Sequence, residues 1–167
     1  MLALKIKDIK TFMGKLLNTE TFDSYLLEEA QIHTFNTFLI DGHQNRSFYT
    51  KEELEDSQLF PYEYSQWKTM RGICFQLIKG KKVPTFMKIT LHLIPQTAYT
   101  ILEQNHVPEY KDSLKAFVLT IKFDQNGLLL TTGTSLKTFL LDKTLDTIWD
   151  NAFKKSLFDK GIDFEEV

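Results

Sequence analysis

A chain of 167 residues with 43% hydrophobic and 25% charged side chains, 7 Gly and 4 Pro has the composition of one folded domain with an ordinary core, which excludes a disordered, collagen-like or disulfide-scaffolded protein. The net charge of −2 hides no dipole, because residues 1–83 carry 11 basic and 11 acidic side chains and residues 84–167 carry 9 and 11. That excludes a basic nucleic-acid arm and an acidic tail.

Leu2 to Ile6 reads as a short strand. Asp8 then caps a helix whose Ile9, Phe12, Met13, Leu16 and Leu17 share one face. From Phe22 to Asp41 the chain is rich in Thr, Phe, Ile and Leu without helical period, which predicts one long bent strand or two short ones closed by the Asp41-Gly42 turn. Thr50-Lys51-Glu52-Glu53 is a capping box opening a short helix that ends at Phe60-Pro61. A second helix is expected from about Glu63 to Lys79 with Gly80 as its stop, burying Trp67, Met70, Cys74, Leu77 and Ile78 and placing Arg71 at the edge of that stripe. Phe86 to Ile94 alternates as a strand, with Lys88, Thr90 and His92 opposite its apolar side. Pro95 opens a helix to Glu103, and 105–114 reads as a loop. Ala116 to Asp124 and Leu128 to Ser135 form a hairpin around Asn126-Gly127, and a last helix from Asp142 or Thr144 stops before Gly161. The expected fold is therefore α+β, a single domain over 1–167 with an antiparallel-dominated sheet packed by amphipathic helices.

Compartment follows from cysteine and hydropathy. The lone Cys74 admits no intrachain disulfide, and no Cys/His metal spacing exists, so a reducing cytoplasm is expected. Lys5, Lys7, Asp8 and Lys10 interrupt the apolar residues of the first 15 positions, against a secretory segment. The longest run without formal charge, Ile89 to Leu102, is too short to span a bilayer.

Few residues carry candidate chemistry. His33 and His92 fall on strands and are expected to meet across a sheet, while Asp41 and His43 flank Gly42 so that the carboxylate can orient the imidazole. No HxH, HxxxH or HExxH spacing accompanies them, and structural histidine is the commoner reading. Thr131-Thr132-Gly133-Thr134-Ser135 followed by Lys137 places hydroxyls, opened amides and an ammonium where they could cradle an anion. The spacing of a phosphate loop is missing, and a Thr-rich edge strand is the plainer alternative. Arg71 joins this set as a guanidinium that needs an anion or a structural carboxylate. Asp142, Asp146 and Asp150 recur every four residues and suggest a metal ridge, but helix-dipole and i, i+4 pairing account for them, so no metal and no cofactor are predicted. Lys79-Gly80-Lys81-Lys82 is a basic corner at a helix end, read as solvated.

Leu4-Lys5-Ile6 with Phe12-Met13, Thr34 to Phe38 through Ile40-Asp41-Gly42, Leu77 to Lys82, and Thr131 to Lys137 together resemble a bacterial family of stand-alone clostridial proteins, domain-of-unknown-function family 5721. The resemblance spans nearly the whole chain. It implies a small cytoplasmic protein and brings no activity, cofactor or site residue. A topological likeness also exists to one domain of DNA sliding clamps, in which Lys-bearing helices face the duplex; Lys7, Lys10, Lys15 and Lys68 lie off the apolar stripes here. The leading expectation is a non-enzymatic binding or interaction protein, with a homo-oligomer interface as one outlet for its apolar surface and no membrane role. The alternatives are a clamp-like nucleic-acid-contacting protein, and a small enzyme or anion-binding protein built from Arg71, Thr132, Thr134, Ser135 and Lys137 with His33 or His92.

Overall fold

Strands with an apolar side chain at every second position need one covered sheet face, and the computed structural model, which describes residues 1–56, 58 and 61–167, supplies it. The elements in order are β1 (Ala3–Ile6), α1 (Ile9–Asn18), β2 (Tyr25–His33), β3 (Thr37–Asp41), α2 (Lys51–Glu55), β4 (Ser65–Gln66), α3 (Trp67–Ile78), β5 (Phe86–Leu93), α4 (Pro95–Gln104), β6 (Leu114–Asp124), β7 (Gly127–Leu136), α5 (Thr144–Asp159) and β8 (Phe164–Glu166). The strands form one antiparallel sheet in the order β3-β2-β5-β6-β7-β1-β8, with β4 beside the start of β2. This is the α+β class that the sequence predicts.

Register lines the apolar side chains into rows that cross the strands. Ile32, Met87, Phe123 and Leu128 make one row; Ala30, Ile89, Ile121, Leu130 and Leu4 make the next. Helices cover this face, and two tryptophans fasten them. The Trp67 indole donates to the Leu16 carbonyl (3.0 Å) and ties α3 to α1, while the Trp149 indole donates to the Val118 carbonyl (2.9 Å) with its ring stacked on Phe117. The opposite face is open and carries Lys88, Thr120, Lys122 and Thr131 among others, as antiparallel sheets permit.

One residue out of phase makes the rows continuous. Leu27 and Ala30 are three apart, so a regular strand would send them to opposite faces; a β-bulge at Glu28 resets the alternation and both enter the core. The bulge is braced by Gly42, whose N–H donates to the Glu28 carbonyl (2.7 Å). A Cβ at Gly42 would lie 1.7 Å from the Leu27 oxygen. Gly42, read from sequence as a turn signal, is required by this close approach.

Four local differences from expectation have physical causes. The Trp67 helix starts four residues later than the predicted Glu63, because Tyr64 bridges to His43 and Ser65–Gln66 pair with β2. It stops at Ile78 with Lys79 as cap, and Gly80 follows at φ +145. Residues Pro108–Asp112 form a 3-10 turn inside the expected loop, and β8 adds a short strand that no hydrophobic alternation announced. The capping box is present as read, with Thr50 and Glu53 bonding each other's backbone, whereas Phe60, the expected helix stop, lies outside the described residues.

Replacing Gly42 with Ala must displace the Leu27–Glu28 bulge. Chemical denaturation is expected to show a loss of more than ~2 kcal/mol, since overlap with backbone cannot be relieved by a side-chain rotation. A loss below about 0.5 kcal/mol would mean that the bulge does not depend on Gly42.

Candidate functional site

Two of the four hydroxyls of the Thr-rich segment, those of Thr132 and Thr134, are spent inside the fold. Thr132 and Thr134 share the helix-covered face with Leu119 and Phe117, and their Oγ1 atoms donate to carboxylates of α5: Thr132 to Asp150 and Thr134 to Asp146 (2.7 Å). Thr132 Oγ1 also accepts from the Leu2 N–H (2.9 Å). The third carboxylate of the predicted ridge, Asp142, caps Thr144 and accepts from the Tyr110 hydroxyl. Its pKa is lowered chiefly by the Thr144 N–H. Two motifs singled out separately in the sequence thus satisfy each other, and an anion would meet carboxylates there. Ser135 lies opposite Ala116, on the face away from Thr134, and Lys137 is exposed beyond the end of β7.

Arg71 has its own anion. Its Nε donates to Asp23 Oδ1 (3.0 Å) and a terminal nitrogen to Oδ2 (3.4 Å), next to the Leu17 carbonyl. It belongs with α3, α1 and the start of β2, whereas the threonines belong to β7 and α5, with β5 and β6 between. The structure does not bring Arg71 and the Thr131–Ser135 segment into one site. His33 and His92 do not meet either, because they stand at opposite ends of the β2–β5 ladder, His33 opposite Phe86 and His92 opposite Leu26. His33 accepts from the Gln31 amide (2.8 Å) and lies against the Phe86 ring.

His92 belongs instead to a row that the sequence shows only in part. Buried to 6% exposure, its Nε2 pairs with Glu28 Oε2 at 2.6 Å, and its ring meets Tyr64 edge-on. The Tyr64 ring also meets His43 (4.6 Å between centroids), which pairs through Nδ1 with Asp41 (2.7 Å) and through Nε2 with Glu63 (3.5 Å). Asp41 and His43 were the readable half, since they flank Gly42. Glu28 and Tyr64 join them only because of the bulge and the His43–Tyr64 bridge. The Asp41 hydrogen bond raises the His43 pKa, and the His43 backbone N–H lowers that of Asp41. Burial raises that of Tyr64. Among the described residues no group of three or more His, Cys, Asp or Glu could hold a metal ion.

The surface that remains unexplained is the end of α3 and the segment after it. Lys79, Gly80, Lys81, Lys82, Val83 and Thr85, with Thr34, Phe35 and Phe38 from the β2–β3 hairpin, line a cleft of about 730 Å³. Three cations and no carboxylate stand on its walls, and none of the three forms an ion pair among the described residues. Behind the same segment lies a smaller apolar pocket of about 200 Å³ between Ile9, Met13, Ile78, Val83, Met87 and Phe123. Phe35 is 86% exposed. The one buried side-chain oxygen without a hydrogen-bond partner among the described residues is Thr34 Oγ1, on the wall of the larger cleft. The lysines were visible in the sequence as a basic corner. The hairpin that turns the corner into a cleft was not.

A family model described as a family of unknown function (DUF5721) matches residues 15–165, and the chain belongs to that family. No curated protein and no solved structure matches the chain. Among the described residues no helix is long and apolar enough to cross a membrane.

Thr132→Val removes a hydroxyl that serves both Asp150 and the Leu2 N–H. Denaturation is expected to show a loss of about 1–3 kcal/mol, because buried polar groups lose a partner without regaining water. A neutral result would mean that the α5 carboxylates do not use β7. His43 has a raised folded pKa, so its ion pairing is complete below its unfolded pKa, near 6.5, and fades as pH rises through the higher folded value. The melting-temperature gap between wild type and His43→Gln should therefore be wider near pH ~5.5 than near pH ~8.5. An equal gap at both would rule out the charged pair.

Proposed function

We propose that this member of the family is a non-enzymatic interaction domain whose ligand docks in the Lys79–Thr85 cleft, and that the ligand is an acidic stretch of another polypeptide carrying one apolar anchor side chain. The observation that carries the reading is the pairing of an acid-free lysine rim with an apolar pocket behind it. Lysine ammonium groups offer point charges to carboxylates, and the anchor would take the place of water against Ile9, Met13 and Val83. Of the other candidate polar groups, Arg71, Thr132 and Thr134 already have protein partners, which favours binding over catalysis.

A second reading rests on Phe35, whose exposed ring beside three lysines also suits a base of single-stranded nucleic acid. The scarcity of Arg and the net charge of −2 argue against it. A bacterial cytoplasm is the setting that fits. Cys74 is buried, and desolvation pushes its thiol up to about 12, so it is a core side chain and not a nucleophile.

Fluorescence anisotropy with an end-labelled peptide of Glu and Asp around a single Leu tests the proposal. Binding should weaken at least about tenfold for Lys81→Glu with Lys82→Glu, and by a similar factor when the peptide Leu becomes Gly. An oligothymidylate that binds with a steep salt dependence while the peptide does not would replace this reading with the nucleic-acid one.

A further inference from the structure

We propose that two copies of this chain join along β3, edge to edge about a two-fold axis through Leu39, so that their two sheets continue as one. The observation is independent of the lysine cleft, since it concerns the backbone of β3 and the side chains standing on it.

The sheet has two ends, and they are unlike. At one, β8 is three residues long and exposes Glu165, a carboxylate that repels a like edge, beside Glu166, whose carboxylate accepts from Lys154 Nζ (2.9 Å). At the other, β3 runs from Thr37 to Asp41 with no Lys, no Pro and no bulge; its one charge is the terminal Asp41, which His43 engages, and its central Leu39 is 74% exposed. Exposed edges are normally guarded by one of those devices, because unpaired N–H and C=O groups template another strand.

The ladder determines which backbone groups are unpaired. Thr34 N–H donates to the Asn36 carbonyl (3.0 Å) at the hairpin tip, and Gly42 N–H donates to the Glu28 carbonyl (2.7 Å) at the far end. In an antiparallel pair, bonded residues alternate with non-bonded ones. With the register Ile32 to Phe38 and Ala30 to Ile40, the even-numbered residues of β3 therefore bond β2. Thr37, Leu39 and Asp41 turn their N–H and C=O groups outward, where β3 has no second strand among the described residues.

A second copy of the same strand fits those groups better than an arbitrary one. Antiparallel pairing centred on Leu39 sets Leu39 against Leu39, Phe38 against Ile40 and Thr37 against Asp41. Apolar meets apolar on both faces, and the Thr37 hydroxyl meets the Asp41 carboxylate, whose Oδ1 is held by His43 while Oδ2 has no bond among the described residues. No like charges oppose each other. Leu39, Thr37 and Asp41 are the outward-bonding residues, so each facing pair exchanges two backbone hydrogen bonds. The symmetry is that of an isologous dimer, which closes and leaves no further edge on this side.

Sedimentation velocity on the full chain, followed by two variants, tests the proposal. The wild type should show a dimer at about 50 µM that dissociates on dilution. Leu39→Lys, at an exposed position whose N–H is not used by β2, should raise the dissociation constant at least about tenfold by placing two ammonium groups face to face. Leu39→Cys should give a dimer cross-linked by a short bismaleimide, since the facing Cβ atoms of a bonded antiparallel pair stand about 5.5 Å apart, too far for an unstrained disulfide but within the span of the reagent. Cys74 is buried and does not compete. A wild type monomeric at about 200 µM, a dimer indifferent to Leu39→Lys, or a Leu39→Cys protein that forms no linked dimer each overturns it. If Leu39→Lys does not fold, the cross-link alone decides in the same two directions.

Discussion

The contact between Gly42 and the Leu27–Glu28 peptide is the constraint on which the molecule depends. β2 runs beside three other strands, β3, β4 and β5, and supplies Tyr25, Leu27, Ala30 and Ile32 to the core. Those four cannot share a face in a strand of strict period two, so one extra residue must be housed, and it is housed where a residue without Cβ lets the chains approach. The same bulge places the Glu28 carboxylate within 2.6 Å of His92. Core phase and the histidine row therefore have one cause. A change that relaxed the bulge would release both.

Most of the polar groups that stand out in the sequence are consumed by this architecture. Thr132 and Thr134 sit in apolar rows where a hydroxyl must find a partner, and α5 delivers Asp150 and Asp146 at the matching spacing of one helical turn. Arg71 and Asp23 neutralise each other at the junction of α1 and α3. What remains is informative by subtraction. The three lysines after α3 have no such partner among the described residues, and the hairpin opposite them ends in an exposed Phe35. Charge left uncompensated on the rim of an apolar hollow is the part of this surface that packing does not explain.

The readable parts of the fold were those decided by local chemistry. Asp8 caps α1 by accepting from the Thr11 N–H (3.0 Å), the Thr50–Glu53 box opens α2, and Asn126-Gly127 turns between β6 and β7. The unreadable parts depend on contacts distant in sequence. β2 lacks clean alternation because of its bulge, and the α3 start is displaced by a bridge to residue 43. β8 is a strand only because β1 is there to receive it. For the candidate site the difference is the same in kind. Lys79, Lys81 and Lys82 could be seen as a basic corner, yet the wall facing them is about 45 residues away in sequence, and nothing in residues 34–38 announces it.

The hairpin tip brings the two proposed surfaces into one argument. Phe35 and Phe38 pack edge-on and wall the lysine cleft, and Phe38 is also a residue of the β3 edge. A second copy along β3 would bond Thr37 from outside and so restrict the tip on which those rings stand. A ligand in the cleft would restrict the same tip from the α3 side. Two binding events that each order one segment share its ordering cost, and the coupling between them is reciprocal. The first event to occur lowers the cost of the second, so ligand affinity and self-association are expected to rise together, with residues 34–38 as the coupling segment.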